Sequence, residues 1–164
     1  MLYIQESLSG WQIFDNDNET KIGYFNINGL LDGYHAEYLN KDYNLLNLHL
    51  LVLAETHLTG TVKDETILQT LSNWKIIHRM DARDKKKHMG LLVISPLNIS
   101  LPDILYFSPF FILKNGQSHI QGLTCQANTH TFTFLYARVK PTKSEAEDIR
   151  NCTRESEYVI GDLN

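Results

Sequence analysis

The 164-residue chain is 43% hydrophobic and 21% charged, which reads as one globular domain with enough apolar material for a sizeable core. Its net charge of −4 argues against a surface that attracts nucleic acid over its whole extent, because phosphate binding draws on clustered Lys and Arg. The start Met1-Leu2-Tyr3-Ile4-Gln5-Glu6 lacks the basic and then apolar pattern of a secretory signal, no apolar run reaches bilayer length, and Cys125 and Cys152 have no CxxC spacing. The expectation is an intracellular protein, nuclear or cytoplasmic, with no membrane partner, no zinc site and no disulfide framework.

Residues 1–20 turn polar toward Asp15-Asn16-Asp17-Asn18-Glu19, a turn-like acidic stretch read as a leader or linker before a domain over 21–164. From there, short apolar runs end abruptly at polar side chains, at 22–27, 50–54, 91–94, 132–137 and 158–160, and read as buried strands. Between the first two, Tyr34, Tyr38, Leu39, Tyr43 and Leu46 recur at near-helical spacing and predict an amphipathic helix over 33–47. A shorter helix is expected over 63–71 and another over 143–150, with Thr142 as N-cap and Glu145 in the first turn. The stretch 104–113, interrupted at Pro109, reads as strand edge plus core. Strands with helices at both ends of the chain, and strands without long helices between 74 and 136, predict a mixed α/β sandwich.

The chemistry gathers where apolar strands stop. In Tyr24-Phe25-Asn26-Ile27-Asn28-Gly29-Leu30 two amides stand one residue apart and, in an extended strand, leave on the same face. In Leu51-Val52-Leu53-Ala54-Glu55-Thr56-His57 a carboxylate follows the apolar run directly; Tyr158-Val159-Ile160-Gly161-Asp162-Leu163-Asn164 repeats the arrangement with Asp162 and Asn164. A carboxylate at the lip of a buried strand is partly desolvated and calls for a cation or hydrogen-bond donors. Hard oxygen donors of this kind suit Mg²⁺ or Mn²⁺. Residues 79–88 hold five Lys/Arg against two Asp, a local +3 that is either a solvated loop or a phosphate-facing one.

The ordered set Asn26-Ile27-Asn28-Gly29-Leu30, Glu55-Thr56-His57-Leu58, Gly90-Leu91-Leu92-Val93-Ile94, Tyr136-Ala137 and Gly161-Asp162-Leu163-Asn164 resembles the endonuclease/exonuclease/phosphatase superfamily. It is most similar there to the apurinic/apyrimidinic-like endonucleases of non-LTR retrotransposons. The resemblance implies a four-layer α/β sandwich, two mixed sheets flanked by helices, of which this chain is the N-terminal portion. It further implies Mg²⁺-dependent hydrolysis of a DNA phosphodiester, with Mn²⁺ as substitute. By resemblance Glu55 binds the metal and Asn28 helps to hold it; Asn26 supports the centre by hydrogen bonding, and Tyr136 donates to the scissile phosphate. Asp162 takes the proton of the attacking water and Asn164 stabilises the transition state. Arg79, Arg83, Lys85, Lys86 and Lys87 are the expected nucleic-acid contacts, DNA the expected partner, and a fused reverse transcriptase or another mobile-element enzyme the expected neighbour.

The sequence departs from that pattern at three points. The later Ser-Asp-His-like motif is absent; Ala137-Arg138-Val139-Lys140 stands where a Pro-Asn pair often follows the tyrosine; and Met89 stands where a glycine often precedes the one matched by Gly90. His57 and His88 have no role in the matched pattern. The missing part leads to the expectation of an exposed inner sheet face, marginal stability and no hydrolysis by the chain alone. The alternatives are a non-catalytic nucleic-acid-binding remnant and a phosphatase or sphingomyelinase-like enzyme of the same fold.

Overall fold

The computed structural model describes residues 12–16, 20–32, 34–42, 47–82, 89–115 and 117–163. The apolar run Leu50–Ala54 (β3) is buried at every position, as a strand covered on both faces requires. It pairs in parallel with β2 (Thr20–Asn26) and antiparallel with β5 (Leu91–Pro96). β1 (Gln12–Asn16) and β4 (Trp74–Met80) complete a mixed sheet in the order β1-β2-β3-β5-β4. The second sheet runs β6 (Ile104–Lys114), β7 (Gln117–Ala127), β8 (His130–Ala137), β9 (Tyr158–Asp162), antiparallel except for the parallel pair β8 and β9.

The two sheets pack face to face. Ile22, Tyr24, Val52, Leu91 and Val93 of the first meet Leu123, Cys125, Phe132, Phe134 and Ile160 of the second in one buried cluster. The expected exposed inner face is therefore absent, because both sheets lie within these residues and each covers the other. The outer face of the first sheet, through Leu51, Leu53, Leu92 and Ile94, is covered by α1 (His35–Asp42) and α2 (Asp64–Thr70), which contribute Ala36, Leu39 and Ile67. The outer face of the second, through Ile120, Leu135 and Ala137, receives Ile149 of α3 (Lys143–Cys152). Four layers result.

Two expectations change and two hold. Residues 12–16 are a strand rather than a linker: β1 pairs antiparallel with β2. Its Phe14 ring lies 4.9 Å from Phe132 and 4.4 Å from Tyr158, inside the core. Of the predicted stripe, Leu39 on α1 is buried beside Ala36, whereas Tyr38 on α1 and Tyr34 just before it are exposed; Tyr43 and Leu46 lie outside the described residues. The helix over 143–152 has the predicted cap in full: Glu145 N–H donates to Thr142 Oγ1 at 3.3 Å and Thr142 N–H donates to Glu145 Oε2 at 2.7 Å. β6 is an edge strand, which is where Pro109, lacking an N–H, is tolerated.

Candidate active site

β2 and β3 run parallel, as do β8 and β9, and their register sets Asn26 opposite Ala54 and Tyr136 opposite Asp162. The polar residues at these strand ends meet across the gap between the sheets. Asn26 Nδ2 donates to Glu55 Oε1 at 3.1 Å and to Asp162 Oδ2 at 3.3 Å. One neutral amide thus joins two carboxylates that arrive from opposite sheets and would otherwise repel. The Tyr136 hydroxyl donates to the same Glu55 Oε1. On the far side, His57 Nε2 lies 3.5 Å from Glu55 Oε2, with both side chains mostly buried at 16% and 17% exposure.

The local chain explains this convergence. β2 stops at Asn26 because its Oδ1 accepts the Asn28 N–H at 3.0 Å, a side-chain turn that withdraws the backbone from the ladder. Asn28 is then left-handed, with φ 47°, and exposed, so the two asparagines do not share a face as an extended strand would require. Gly29 and Leu30 N–H donate to the Glu55 and Thr56 carbonyls at 2.7 and 3.0 Å, tying the two loops together. Glu55 and His57 are also left-handed, at φ 51° and 58°. Non-glycine residues in that region cost about 1–3 kcal/mol each and cluster at functional sites. The Glu55 loop is held on its other side by Gly90, whose N–H donates to Gln121 Oε1 at 2.6 Å while its carbonyl accepts from Thr56 N–H at 3.3 Å.

Two tyrosine hydroxyls sit beneath the carboxylates. Tyr24 is buried and donates to the Leu135 carbonyl at 2.9 Å; burial first, then the Asp162 charge, holds its phenol well above the usual range. Burial and the hydrogen bond to Glu55 do the same for Tyr136, so it remains a donor at every physiological pH.

Of the residues singled out by sequence, Asn26, Glu55, Tyr136 and Asp162 come together; Asn28 stands beside them at the exposed rim, and Asn164 lies outside the described residues. Arg79 is engaged in the fold: Nε and Nη2 donate to Asp81 at 2.6 and 2.9 Å, Nη1 to Asp64 at 2.7 Å and Nη2 to the Thr59 carbonyl at 2.8 Å. Arg83, Lys85, Lys86 and Lys87 lie outside the described residues, but the flanking chain is fixed to the Glu55 loop. Ala82 N–H donates to the Leu58 carbonyl at 3.2 Å and the Met89 carbonyl accepts from His57 N–H at 3.0 Å. Sequence reading sets His57 near the centre without a role, and the structure puts it beside Glu55; it misses Tyr24 and Gln121, whose partners are remote in sequence.

Glu55 and Asp162 supply carboxylate oxygens, the hard donors that suit Mg²⁺, which retains several waters and takes few carboxylates; the Asn26 oxygen is already engaged by the Asn28 N–H. Among the described residues no group of three or more His, Cys, Asp or Glu side chains forms a closed metal cage. Two carboxylates drawn together by one amide are a donor set that would suit a partly hydrated hard cation.

No protein-family model matches the chain, and no curated protein does. Solved structures match its shape. The human Nocturnin catalytic domain with bound sulfate has a TM-score of 0.54 at 11% identity, over 88% of this chain and 64% of that one. An endonuclease/exonuclease/phosphatase family protein from Leptotrichia buccalis gives 0.54 at 13%, over 88% and 66%. D. rerio TDP2 complexed with single-strand DNA product gives 0.57 at 12%, over 90% and 62%. The chain spans less than two thirds of the length of each. At these identities the likeness concerns the fold, and the two packed mixed sheets described above are the endonuclease/exonuclease/phosphatase fold.

Proposed function

We propose that this chain carries the metal-facing and water-activating side of a Mg²⁺-dependent phosphodiesterase centre that acts on DNA. The observation that carries the reading is the Asn26 bridge between Glu55 and Asp162, with the Tyr136 hydroxyl on Glu55. Hydrolysis of a phosphodiester needs a water deprotonated in line with the leaving oxygen and donors for the oxygens that gain charge. Asp162, fixed by Asn26, is the acceptor for the proton of that water. Tyr136, held protonated, would turn its one O–H from Glu55 toward a non-bridging oxygen. Glu55 and Asn28 are the residues that would hold the cation, and when bound it would neutralise charge building on the phosphate. Asn164 completes the proposed set.

DNA is favoured as substrate by the Asn26-Ile27-Asn28-Gly29-Leu30 and Glu55-Thr56-His57-Leu58 motifs, and one structure of similar fold holds a single-strand DNA product. Arg83, Lys85, Lys86 and Lys87 form the proposed phosphate-backbone contact, since the chain on both sides of them is tied to the Glu55 loop. A mobile-element endonuclease linked to a reverse transcriptase is the biological setting of this reading. The Ala137-Arg138 pair after Tyr136, in place of the Pro-Asn pair of the matched pattern, supports a second one, a nucleic-acid-binding module without cleavage.

Nicking of supercoiled plasmid in Mg²⁺ or Mn²⁺ tests both. The first reading, which gives this chain one side of the centre, expects chelator-sensitive nicking by a protein that also holds the other side, falling at least about 10²-fold in Glu55→Gln and in Asp162→Asn. Nicking that survives either substitution refutes it; DNA retention with no nicking selects the binding module.

A further inference from the structure

Gln12 and Tyr24 are register partners on β1 and β2, and both reach across to the other sheet. They meet another register pair, Leu135 and Gly161 on β8 and β9. Tyr24 O–H donates to the Leu135 carbonyl at 2.9 Å. Gln12 Nε2 donates to the Gly161 carbonyl at 3.0 Å, and Gly161 N–H donates to Gln12 Oε1 at 3.1 Å. A single side-chain amide thus satisfies both backbone groups of one β9 residue, the two-point pattern that a neighbouring strand would provide. Among the described residues β9 is last in its sheet order, and on that side Gln12 stands where a strand neighbour would pair.

One residue further along, the same strands carry the candidate chemistry: Asp162 follows Gly161, and Tyr136 follows Leu135. Two residues beyond Tyr24 is Asn26, whose amide lies 3.3 Å from Asp162 Oδ2. The height of β9 against the first sheet therefore sets the Asn26 to Asp162 distance. Gly161 is needed for this fit, since a Cβ there would lie 2.2 Å from the Leu135 carbonyl oxygen. An edge strand held only by β8 would be free to shift, and a displacement of ~1 Å at a reacting group costs on the order of 10²-fold in rate.

We propose that Gln12 is the positioning residue for Asp162: its amide grips Gly161 and holds the carboxylate against Asn26. The proposal rests on the reading of Asp162 as the proton acceptor. Gln12 lies in the segment that sequence alone marks as a leader, and its partner is 149 positions away.

The test uses the full chain with Gln12→Met, which keeps side-chain length and apolar packing but loses the amide, and Gln12→Glu, which keeps an acceptor for the Gly161 N–H. Site-resolved amide exchange, the Asp162 carboxyl carbon resonance and hydrolysis of a fluorescent oligonucleotide are read together. For Gln12→Met the expected result is at least tenfold faster exchange at Gly161 with unchanged exchange at Leu51 to Leu53, a shifted Asp162 resonance, and a kcat lower by ten- to hundredfold at constant KM. Gln12→Glu retains the Gly161 protection, and carries the test on its own through the Asp162 resonance if Gln12→Met does not fold. Unchanged Gly161 exchange and an unmoved Asp162 resonance overturn the proposal, as does a loss expressed wholly in KM. Where the wild-type chain, which holds one side of the proposed centre, does not hydrolyse the oligonucleotide with Mg²⁺ or Mn²⁺, the exchange and resonance data decide the positioning claim alone.

Discussion

Gly90 offers a quantitative test of how the Glu55 loop is held. Its φ is +117°, a region that L side chains rarely adopt, and a Cβ there would lie 2.3 Å from Thr56 Oγ1. Gly90→Ala therefore meets two separate penalties. The backbone conformation costs about 1–3 kcal/mol. Relieving an overlap of roughly 1 Å costs a further ~1–3 kcal/mol. A midpoint of about 4 kcal/mol corresponds to a Tm lower by roughly 8–16 °C for a domain of this size. Thr56→Ala separates the two, because it removes the overlapping oxygen but leaves φ untouched. Alone it loses a long hydrogen bond from Leu58 N–H at 3.4 Å, worth about 1 kcal/mol. The double variant is expected to be more stable than the sum of the singles by the overlap share, ~1–3 kcal/mol. Gly60→Ala is the control: nothing lies within 4 Å of its Cβ, so it stays within about 0.5 kcal/mol of wild type. Thermal and urea unfolding of wild type and the four variants provide the measurement. A Gly90→Ala chain that melts with wild type, or strict additivity in the double variant, refutes the reasoning.

Alkaline stability carries a second prediction. Burial pushes the Cys125 thiol up to about 12 from its ordinary 9.0, so above pH 9 the unfolded chain releases a proton that the folded chain retains. This contribution is complete below pH 9 and is lost at about 1.4 kcal/mol per pH unit as pH rises toward 12. Tyr24 and Tyr136, also raised, act in the same direction above their ordinary 10.0. Urea midpoints from pH 8 to 11 should fall less steeply in Cys125→Ala; parallel slopes would falsify the assignment. Arg79→Ala, which frees Asp64 and Asp81, is expected to destabilise the fold by about 1–2 kcal/mol while leaving the salt dependence of DNA binding unchanged. Replacing Arg83, Lys85, Lys86 and Lys87 with Ala should do the reverse, weakening DNA binding and flattening its slope against log salt by up to about 3–4 units. A filter-binding salt titration beside a thermal melt separates the two outcomes.

The sequence carries the strand ends clearly because each is a local event. An apolar run stops at Asn26, Glu55 or Asp162, and Thr142 and Glu145 stand at capping spacing, so neighbours in the chain suffice to read them. β1 is hidden for the opposite reason. Its acidic end at Asp15 resembles a linker, and what makes it a strand is the pairing with β2 and the seating of Phe14 among rings of the second sheet. The α1 face is half legible: Leu39 meets the sheet as its spacing predicts, with Ala36 beside it, while tyrosine spacing suggests burial although phenols are tolerated in water. Gln12, Tyr24 and Gln121 are long-range ties, and no local pattern distinguishes a buried amide that will find a backbone partner from one on the surface. The same limit holds at Asn28, where a left-handed residue breaks the alternation on which the shared-face argument relied.

The Asn26 amide, seated between one carboxylate from each sheet, makes the sandwich itself responsive to what it binds. A ligand that grips Glu55 and Asp162 together spans the sheet interface, and it does so only while the sheets remain docked. Occupancy and cohesion are then one equilibrium: at a ligand concentration of a hundred times Kd the docked state gains about 2.7 kcal/mol. A divalent cation or a phosphate at this point is thus a fastener between layers as well as a participant in chemistry. A rise in Tm with added Mg²⁺, absent in Glu55→Gln, would be its signature.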